Sequence, residues 1–146
     1  MKIKRGSPVD ISAIYVLLNQ MHKETTLQVA PINSRILISK ITEAIYQGVV
    51  FLTHNDKEIT GSVGGLTGTD WWSDKPFLGD LWFYVKPEHR KSRAAFMLMK
   101  EFLKVGKTSN MSTRVGHIFS GDIERKDSFY EHFGFKKAGS VYLMEI

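Results

Sequence analysis

A nearly continuous run of aromatic and aliphatic residues, 77–86, constrains the fold more than any other feature of this chain. A strand with one solvated face alternates apolar and polar residues, whereas a strand covered on both faces is apolar almost throughout. The run stops at Pro87, which has no amide proton to donate to a strand ladder. Residues 77–86 are therefore predicted to form the central strand of a sheet that is covered on both sides.

The length of 146 residues sets the number of domains. Domains commonly hold about 100 to 200 residues, so residues 1–146 are predicted to form one domain with its own core. The sequence contains no cysteine. A disulfide scaffold, a thiolate zinc site and a cysteine nucleophile are therefore excluded, and no metal site is predicted.

Two amphipathic helices are predicted before the first long strand. Ser7 and Pro8 are typical of a helix start, and Gly48 is typical of a helix end. Apolar residues at three- and four-residue steps mark the buried face of each helix. They are Ile11, Ile14, Tyr15, Leu18 and Met21 in the first helix, and Leu37, Ile41, Ala44 and Ile45 in the second.

The rest of the chain is predicted to alternate strands with helices. Strands are predicted near Ile3 and at residues 49–54, 58–66, 111–119 and, as one or two strands, 135–146, and helices at about 92–105 and 122–133. The early hairpin and the later strand-helix-strand crossovers together predict an α/β (α+β) fold. Its mixed central sheet is expected to be antiparallel in the N-terminal part and parallel in the C-terminal part, flanked by about four helices.

A cluster of cations follows the central strand, at the predicted start of the third helix. It consists of Arg90, Lys91 and Arg93, in a chain whose formal net charge is +5. A helix N-terminus already carries a partial positive charge and unpaired amide donors, so three cations there repel it. A bound phosphate group would remove that repulsion. The alternative is that the three side chains are solvated and lean away from the helix.

The same stretch resembles a motif of the GNAT superfamily of N-acetyltransferases. Val85-x-Pro87 and Arg90-x-x-Arg93-x-Ala95 are similar to the strand end and loop that open this family's coenzyme-binding helix. Arg93 stands where the family usually has glycine, a variant that resembles small GNAT-like proteins of tailed phages. The resemblance implies a GNAT-like fold and acetyl-CoA as the acetyl donor. By that resemblance the pyrophosphate is bound by Arg90, Lys91, Ser92, Arg93, Ala94 and Ala95, and the pantetheine arm by the backbone of Phe83, Tyr84 and Val85.

A second motif lies at the end of the predicted fourth helix. Tyr130-Glu131-x-x-Gly134-Phe135 is similar to the tyrosine-glutamate-x-x-glycine-phenylalanine motif of the same family. The resemblance implies that Tyr130 protonates the departing thiolate of coenzyme A, and a phenol with a pKa of about 10 suits that task. The alternative is a half-buried tyrosine on the core stripe of its helix.

Asp80 is the only acidic residue within residues 77–86 and is the first candidate for a general base. It lies an odd number of residues before Val85, so the two side chains face opposite ways unless a bulge intervenes. An edge or capping carboxylate is the alternative interpretation of Asp80. His117 on the next predicted strand is the second candidate base.

The acceptor is expected to be the primary amine of a small molecule or a protein. Trp71 and Trp72 lie in a predicted loop and form either a wall of the acceptor site or a lid on the core. The net positive charge and these aromatic residues also fit a protein that binds or modifies nucleic acid. Nucleic acid is the less favoured partner, because the net charge is modest. A coenzyme A-binding domain without catalysis and a homodimer both stay open.

The N-terminal sequence indicates where the protein acts. Residues 1–6 are basic, but no hydrophobic segment or small-residue cleavage site follows them. No apolar run reaches the roughly 18 residues that a membrane span requires. A cytoplasmic location without membrane association is therefore expected.

Overall fold

Nine helices and strands follow one another in the computed structural model, which describes residues 1–25, 29–117 and 122–144. The strands are β1 (Lys2–Arg5), β2 (Val49–His54), β3 (Ile59–Thr69), β4 (Pro76–Val85) and β5 (Ser112–Arg114). The helices are α1 (Ile11–Lys23), α2 (Ser34–Gln47), α3 (Ala94–Thr108) and α4 (Ile123–His132), with one-turn 3-10 helices at Pro8–Asp10 and Pro87–His89. Up to α4, the order of elements is the predicted one.

The five strands form one sheet in the order β1-β2-β3-β4-β5. Neighbouring strands from β1 to β4 run antiparallel, and β4 and β5 run parallel. The parallel pair needs a crossover, which α3 provides. The predicted mixed sheet, antiparallel first and parallel last, is therefore confirmed.

Helices cover both faces of the sheet. On one face Leu98, Met99 and Phe102 of α3 are fully buried in a core that includes Val63 and Leu78. On the other face α1 and α2 build a second core with β2 and β4, whose members are Ile14, Leu18, Ile41, Ala44, Val50, Leu52 and Trp82. Each fully buried side chain of this size contributes about 1.5–3 kcal/mol to the transfer free energy. The apolar run of β4 is explained by this cover on both sides.

Two glycines of β3 allow side chains of neighbouring elements to approach the strand. A Cβ atom on Gly64 would lie 2.2 Å from the ring of Trp82, and one on Gly65 would lie 2.8 Å from the ring of Phe102. Real Cβ atoms do not come that close to other atoms. The strand therefore needs glycine here to let a ring pack on each of its faces.

Two strand predictions are wrong within the described residues. The strand predicted at 111–119 is limited to Ser112–Arg114, because the amide of Gly116 donates to the side chain of Asp80 and not to the backbone of β4. Residues 118–119 lie outside the described part. Residues 135–144 form no strand. Val141, Tyr142, Leu143 and Met144 are each at least 62% exposed, and a strand without a paired neighbour is not stable in water.

None of the described helices has the length and apolar character of a membrane-spanning segment.

Candidate active site

A bulge in β4 decides which way Asp80 faces. Trp82 pairs with Gly64 of β3 and Asp80 pairs with Gly65, so Leu81 is an extra residue between two consecutive pairs. An extra residue reverses the alternation of faces along a strand. Asp80 therefore faces the same side of the sheet as Val85, the side that α3 covers. The bulge on which the sequence-based assignment of Asp80 depended is present.

The strands β4 and β5 separate immediately after this point. Parallel pairing joins residues 77–79 to residues 112–114 and extends no further among the described residues. Next to the last pair, the backbone amide of Gly116 donates a hydrogen bond to Oδ1 of Asp80, at 3.2 Å. In the described part of the chain, residues 80–85 pair with β3 along one edge and with no strand along the other. We call the opening beside this unpaired edge the gap between β4 and β5.

The carboxyl group of Asp80 lies at the inner end of this gap. Burial raises its pKa from 3.8 to about 6, and the Gly116 amide opposes the rise only in part, because it favours the charged form. A carboxyl group with a pKa near 6 is largely ionised at neutral pH and still accepts a proton readily. These are the properties of a general base.

Tyr130 of α4 lies on the side of the gap that faces Asp80. Its ring stacks on His117, with 5.7 Å between centroids and 21° between planes, and meets the edge of Phe135 at 5.8 Å. Phe129, the preceding residue, contacts Phe83 of β4 at 5.7 Å and so packs α4 against the open half of the strand. Burial raises the pKa of the phenol, and the negative charges of Asp80 and Asp127 raise it further. Tyr130 is therefore protonated at neutral pH.

His117 is bound to a carboxylate that sequence reasoning missed. Its Nε2 lies 3.1 Å from Oδ1 of Asp127, and Nζ of Lys137 lies 3.4 Å from Oδ2 of the same residue. The histidine beside it and the lysine hold the pKa of Asp127 below its usual value. The position of Asp127 was detectable in principle, since it precedes Tyr130 by three residues and so lies on the same face of α4.

The predicted phosphate loop connects β4 to α3 through tight turns. The amide of Ser92 donates to the carbonyl of His89 at 3.0 Å, and the Ser92 hydroxyl donates to the same carbonyl at 2.5 Å while accepting from the Ala94 amide at 3.2 Å. The first helical hydrogen bond runs from Met97 to Arg93. Among the described residues, no partner is found for four amides of this stretch, those of Lys91, Arg93, Ala95 and Phe96. Unpaired amides at the start of a 15-residue helix are suited to an anion.

Arg93 does not require the backbone freedom of glycine. Its φ of −83° and ψ of 1° lie in a region open to any L-residue, and its side chain is exposed. Lys91 is also exposed, and no carboxylate lies within ion-pair distance of either cation in the described residues. Ala94 is fully buried and Ala95 half-buried against the core. The loop therefore presents two unpaired cations beside the unpaired amides.

Arg90, the third cation of the cluster, is already paired. Its Nη2 lies 2.6 Å from Oε2 of Glu24, just beyond α1, and its Nε donates to the carbonyl oxygen of Val85 at 3.0 Å. The guanidinium carbon lies 5.5 Å from the ring centroid of Tyr84, whose hydroxyl donates to the other oxygen of Glu24. Burial and this carboxylate raise the pKa of Tyr84. The pairing of Arg90 with Glu24 could not be read from the sequence, in which 66 residues separate them.

Lys126 adds a cation on the α4 side of the same region. Partial burial lowers the pKa of Lys126, and the charge of Arg90 lowers it further. The charges of Asp122 and Glu24 raise it. In the described part of the chain, no hydrogen bond or ion pair to the side chain of Lys126 is found. Sequence reasoning missed this lysine because nothing in its neighbourhood on α4 marks it.

Trp71 and Trp72 lie on the turn between β3 and β4 and are 91% and 67% exposed. Their exposure shows that the interpretation as a lid on the core is wrong. The two rings meet edge to face, with 5.2 Å between centroids. The preceding Asp70 receives two hydrogen bonds of 2.7 Å from Arg114 of β5, whose guanidinium lies 3.8 Å from the ring centroid of Phe77. The turn that carries the tryptophans is thereby fixed to the sheet.

Within the described residues, one cluster of side chains has oxygen and nitrogen atoms close enough together to hold a metal ion. Atoms of Glu58, Glu88 and His89 lie within 4.8 Å of one another. The carboxylate of Glu58 is bound on one side by Lys86 Nζ at 2.6 Å and on the other by His89 Nε2 at 3.3 Å. The lysine and histidine hold the pKa of Glu58 below its usual value. These contacts attach the start of the loop to the β2–β3 hairpin.

Solved structures share this fold across nearly the whole chain. The aminoglycoside 6'-N-acetyltransferase AAC(6')-Ig of Acinetobacter haemolyticus superimposes with a TM-score of 0.74 at 15% identity, covering 100% of this chain and 98% of that one. A predicted acetyltransferase of Clostridium acetobutylicum, solved with acetyl-CoA, gives a TM-score of 0.78 at 10% identity over 99% and 95% of the two chains. AAC(6')-Iy, solved with a bisubstrate analogue of coenzyme A, gives 0.76 at 12% over 99% and 97%. The architecture is that of an acetyltransferase fold.

Sequence comparison is more specific than fold comparison. No curated protein matches the chain by sequence. The family model of the acetyltransferase (GNAT) domain matches residues 46–137, which is more than half of the chain and includes β2 through α4. The protein therefore belongs to the GNAT acetyltransferase family, as its two motifs predicted.

Proposed function

We propose that this protein is an acetyl-CoA-dependent N-acetyltransferase that transfers an acetyl group directly to a primary amine. The observation that carries the proposal is the gap between β4 and β5, which has Asp80 and Tyr130 at its sides. The unpaired amides and cations of the loop lie at the C-terminal end of the same strand. The proposed acid, base and anion site thus lie around one opening.

The chain's own groups match the chemistry of coenzyme A. The amides that open α3, with Lys91 and Arg93, would bind the pyrophosphate, and Ser92, Ala94 and Ala95 shape that loop. Along β4, the backbone of Phe83, Tyr84 and Val85 offers an edge that β5 does not pair with, suited to the amides of the pantetheine arm. The coenzyme supplies an activated acetyl thioester, and its sulfur would come to lie within the gap.

Asp80 is proposed to take the proton of the acceptor ammonium, directly or through a water molecule. The neutral amine then forms the new carbon–nitrogen bond as the carbon–sulfur bond of the thioester breaks. Tyr130 is proposed to give its proton to the departing sulfur. No cysteine is present to carry the acetyl group as an enzyme thioester, which supports direct transfer.

The charge of Asp80 couples the two proton transfers. Burial raises the pKa of the Tyr130 phenol, and the ionised carboxylate of Asp80 raises it further. Once Asp80 has accepted a proton, that charge is gone and the phenol becomes a stronger acid. Tyr130 is thus most acidic when the thiolate needs a proton.

The acceptor is proposed to reach the gap from the side of the β3–β4 turn, with Trp71 and Trp72 forming its outer contact. The four residue steps of extended strand from Pro76 to Asp80 span about 13 Å. The tryptophans are therefore placed to contact a part of the acceptor remote from the reacting amine. A small molecule and a protein side chain both satisfy this distance.

An assay of acetyl-CoA thioester cleavage against a panel of primary amines tests the proposal. The wild type is expected to release coenzyme A and to add 42 Da, the mass of one acetyl group on an amine, to an acceptor; Asp80→Asn is expected to lose the activity. Asp56→Asn, which changes an exposed aspartate of the β2–β3 turn, is the matched control. Binding of coenzyme A without release of thiol for any amine would favour a coenzyme-binding domain without catalysis. Salt-dependent binding of DNA or RNA that acetyl-CoA does not affect would favour the nucleic-acid alternative.

A further inference from the structure

Arg90 is held by contacts that join three separate parts of the chain. It lies in the loop before α3, Glu24 follows the end of α1, and Val85 ends β4. The ion pair with Glu24 measures 2.6 Å, and the bond to the Val85 carbonyl measures 3.0 Å. The side chains of Arg90 and Glu24 are 38% and 26% exposed, so solvent and a ligand can reach the pair. The arrangement is a bridge across the end of β4.

This bridge uses groups that the proposed coenzyme site needs. Of the three cations of the loop, Arg90 alone has its charge neutralised by a carboxylate among the described residues. The carbonyl oxygen of Val85 belongs to the strand edge proposed for the pantetheine arm, and it already accepts a hydrogen bond from Arg90. The negative charge of Glu24 also lies where phosphates are proposed to arrive. In the free protein, groups of the proposed coenzyme site are thus already bonded to one another.

We propose that Glu24 is a positioning residue that competes with the coenzyme for Arg90, so that binding exchanges the Glu24 carboxylate for a phosphate group. The inference rests on the proposed function, since it takes coenzyme A as the ligand of the loop. In the exchange the guanidinium leaves Glu24 and Val85, and the Val85 carbonyl becomes available to the ligand. Tyr84 retains its hydrogen bond to Glu24 and keeps the end of α1 against β4.

The charges of the region favour such an exchange. A phosphate group accepts the same forked hydrogen bonds as a carboxylate and carries more negative charge. Lys126 on α4 acts on both Arg90 and Glu24, so a phosphate that reaches Arg90 also gains a second cation. A half-exposed ion pair is weak enough to be replaced by a ligand.

Competition and support by Glu24 predict opposite effects of its removal on the affinity for coenzyme A. If Glu24 only held Arg90 in position for phosphate, its removal would weaken coenzyme binding. If Glu24 competes, its removal strengthens binding, because Arg90 no longer has to leave a partner. Glu24→Gln keeps the size of the side chain and an acceptor for the Tyr84 hydroxyl while removing the charge.

Calorimetric titration with coenzyme A tests the exchange in the full chain. Glu24→Gln is expected to bind coenzyme A about three to five times more tightly than the wild type, the range that an exposed ion pair allows. Glu88→Gln removes an exposed carboxylate near the same strand end and controls for the general loss of negative charge; its Kd is expected to change less than twofold. In an Arg90→Ala background, Glu24→Gln is expected to change the Kd no more than the Glu88 variant does.

Three results would overturn the competition. Weaker or unchanged binding by Glu24→Gln would make Glu24 a supporting residue or a bystander. An equal gain in the Arg90→Ala background would show that charge repulsion acts without Arg90. If neither the wild type nor any variant binds coenzyme A, the proposed function fails, and the exchange fails with it. Circular dichroism and thermal unfolding of each variant establish that it is folded.

Discussion

The backbone amide of Gly116 donates a hydrogen bond to the carboxylate of Asp80, 3.2 Å away, at the place where β4 and β5 separate. This contact links the two strands where their ladder ends and holds the carboxylate at the inner end of the gap. The bulge at Leu81 turns Asp80 toward α4 and Tyr130. The geometry of the proposed reaction depends on these two backbone features.

Asp80→Asn is expected to stabilise the protein at neutral and alkaline pH. The folded pKa of about 6 exceeds the unfolded value of 3.8, so the folded state binds more protons between these values. The free energy of unfolding therefore falls as pH rises from about 4 to about 6, and stays lower above that. Asparagine retains an acceptor for the Gly116 amide without the buried charge, so the variant should gain about 1–3 kcal/mol at pH 8.

Urea unfolding at pH 8 and pH 4 checks this expectation. At pH 4 the gain should largely disappear, because the wild-type carboxyl group is protonated there in the folded state. Asp56→Asn, at an exposed position, should show no such difference between the two pH values. A loss of stability at pH 8 would mean that the charged carboxylate is favoured in the fold.

The same aspartate should govern the pH dependence of turnover. In the wild type kcat/KM is expected to rise as pH increases through about 6, when Asp80 loses its proton and becomes able to accept one. Asp80→Asn should lower kcat/KM by about 100-fold to 10,000-fold and abolish that limb of the profile. An unchanged limb in the variant would assign the base to His117 or to water.

Tyr130→Phe should separate binding from chemistry. Phenylalanine preserves the ring that stacks on His117 and meets Phe135, so the folded structure and the Kd for coenzyme A should stay within about twofold. Loss of the acidic hydroxyl should lower kcat by about 100-fold, the lower end of the range for an acid catalyst. Turnover at the wild-type rate would return Tyr130 to the role of a core residue.

Lys91→Ala and Arg93→Ala should each weaken binding of coenzyme A by about threefold to tenfold. Both cations are exposed and without an ion-pair partner in the described residues, so their charge is available to a phosphate. The loss should shrink as salt concentration increases, because salt screens exposed charges. Lys104→Ala, an exposed lysine on α3, provides the control. Equal effects at all three positions would point to net charge instead of a site.

Trp71→Ala and Trp72→Ala should affect the binding of the acceptor and leave stability and coenzyme binding unchanged. Their exposure of 91% and 67% means that little core is lost, so the free energy of unfolding should change by less than about 0.5 kcal/mol. The KM for the acceptor should rise while the Kd for coenzyme A stays constant. Tyr46→Ala, which changes a 68% exposed aromatic residue of α2, is the control. If the tryptophan variants have the same KM for the acceptor as the wild type, the turn is not part of the acceptor site.

The helices and the central strand were predictable because their signals are local. Ile14, Leu18 and Ile41 recur with helical spacing, and all three are buried between the helices and the sheet. The loop before α3 was predictable too, since its cations are adjacent in sequence. Tertiary packing then places these segments as their periodicity indicates.

The rest depends on partners distant in sequence. The bulge at Leu81 arises from the register between β4 and the glycines of β3, which no pattern within β4 contains. The pairing of Arg90 with Glu24 and that of His117 with Asp127 form only when separate elements meet. The apolar residues 141–144 read as a strand, but a strand needs a neighbour to pair with, and these residues have none in the described structure.

A crystal structure of the protein with coenzyme A tests the central claim most directly. The proposed function predicts the pyrophosphate on the amides of residues 91–96, the pantetheine arm along residues 83–85, and the sulfur in the gap between Asp80 and Tyr130. Coenzyme A bound outside this gap, or bound there with its sulfur remote from both residues, would contradict it.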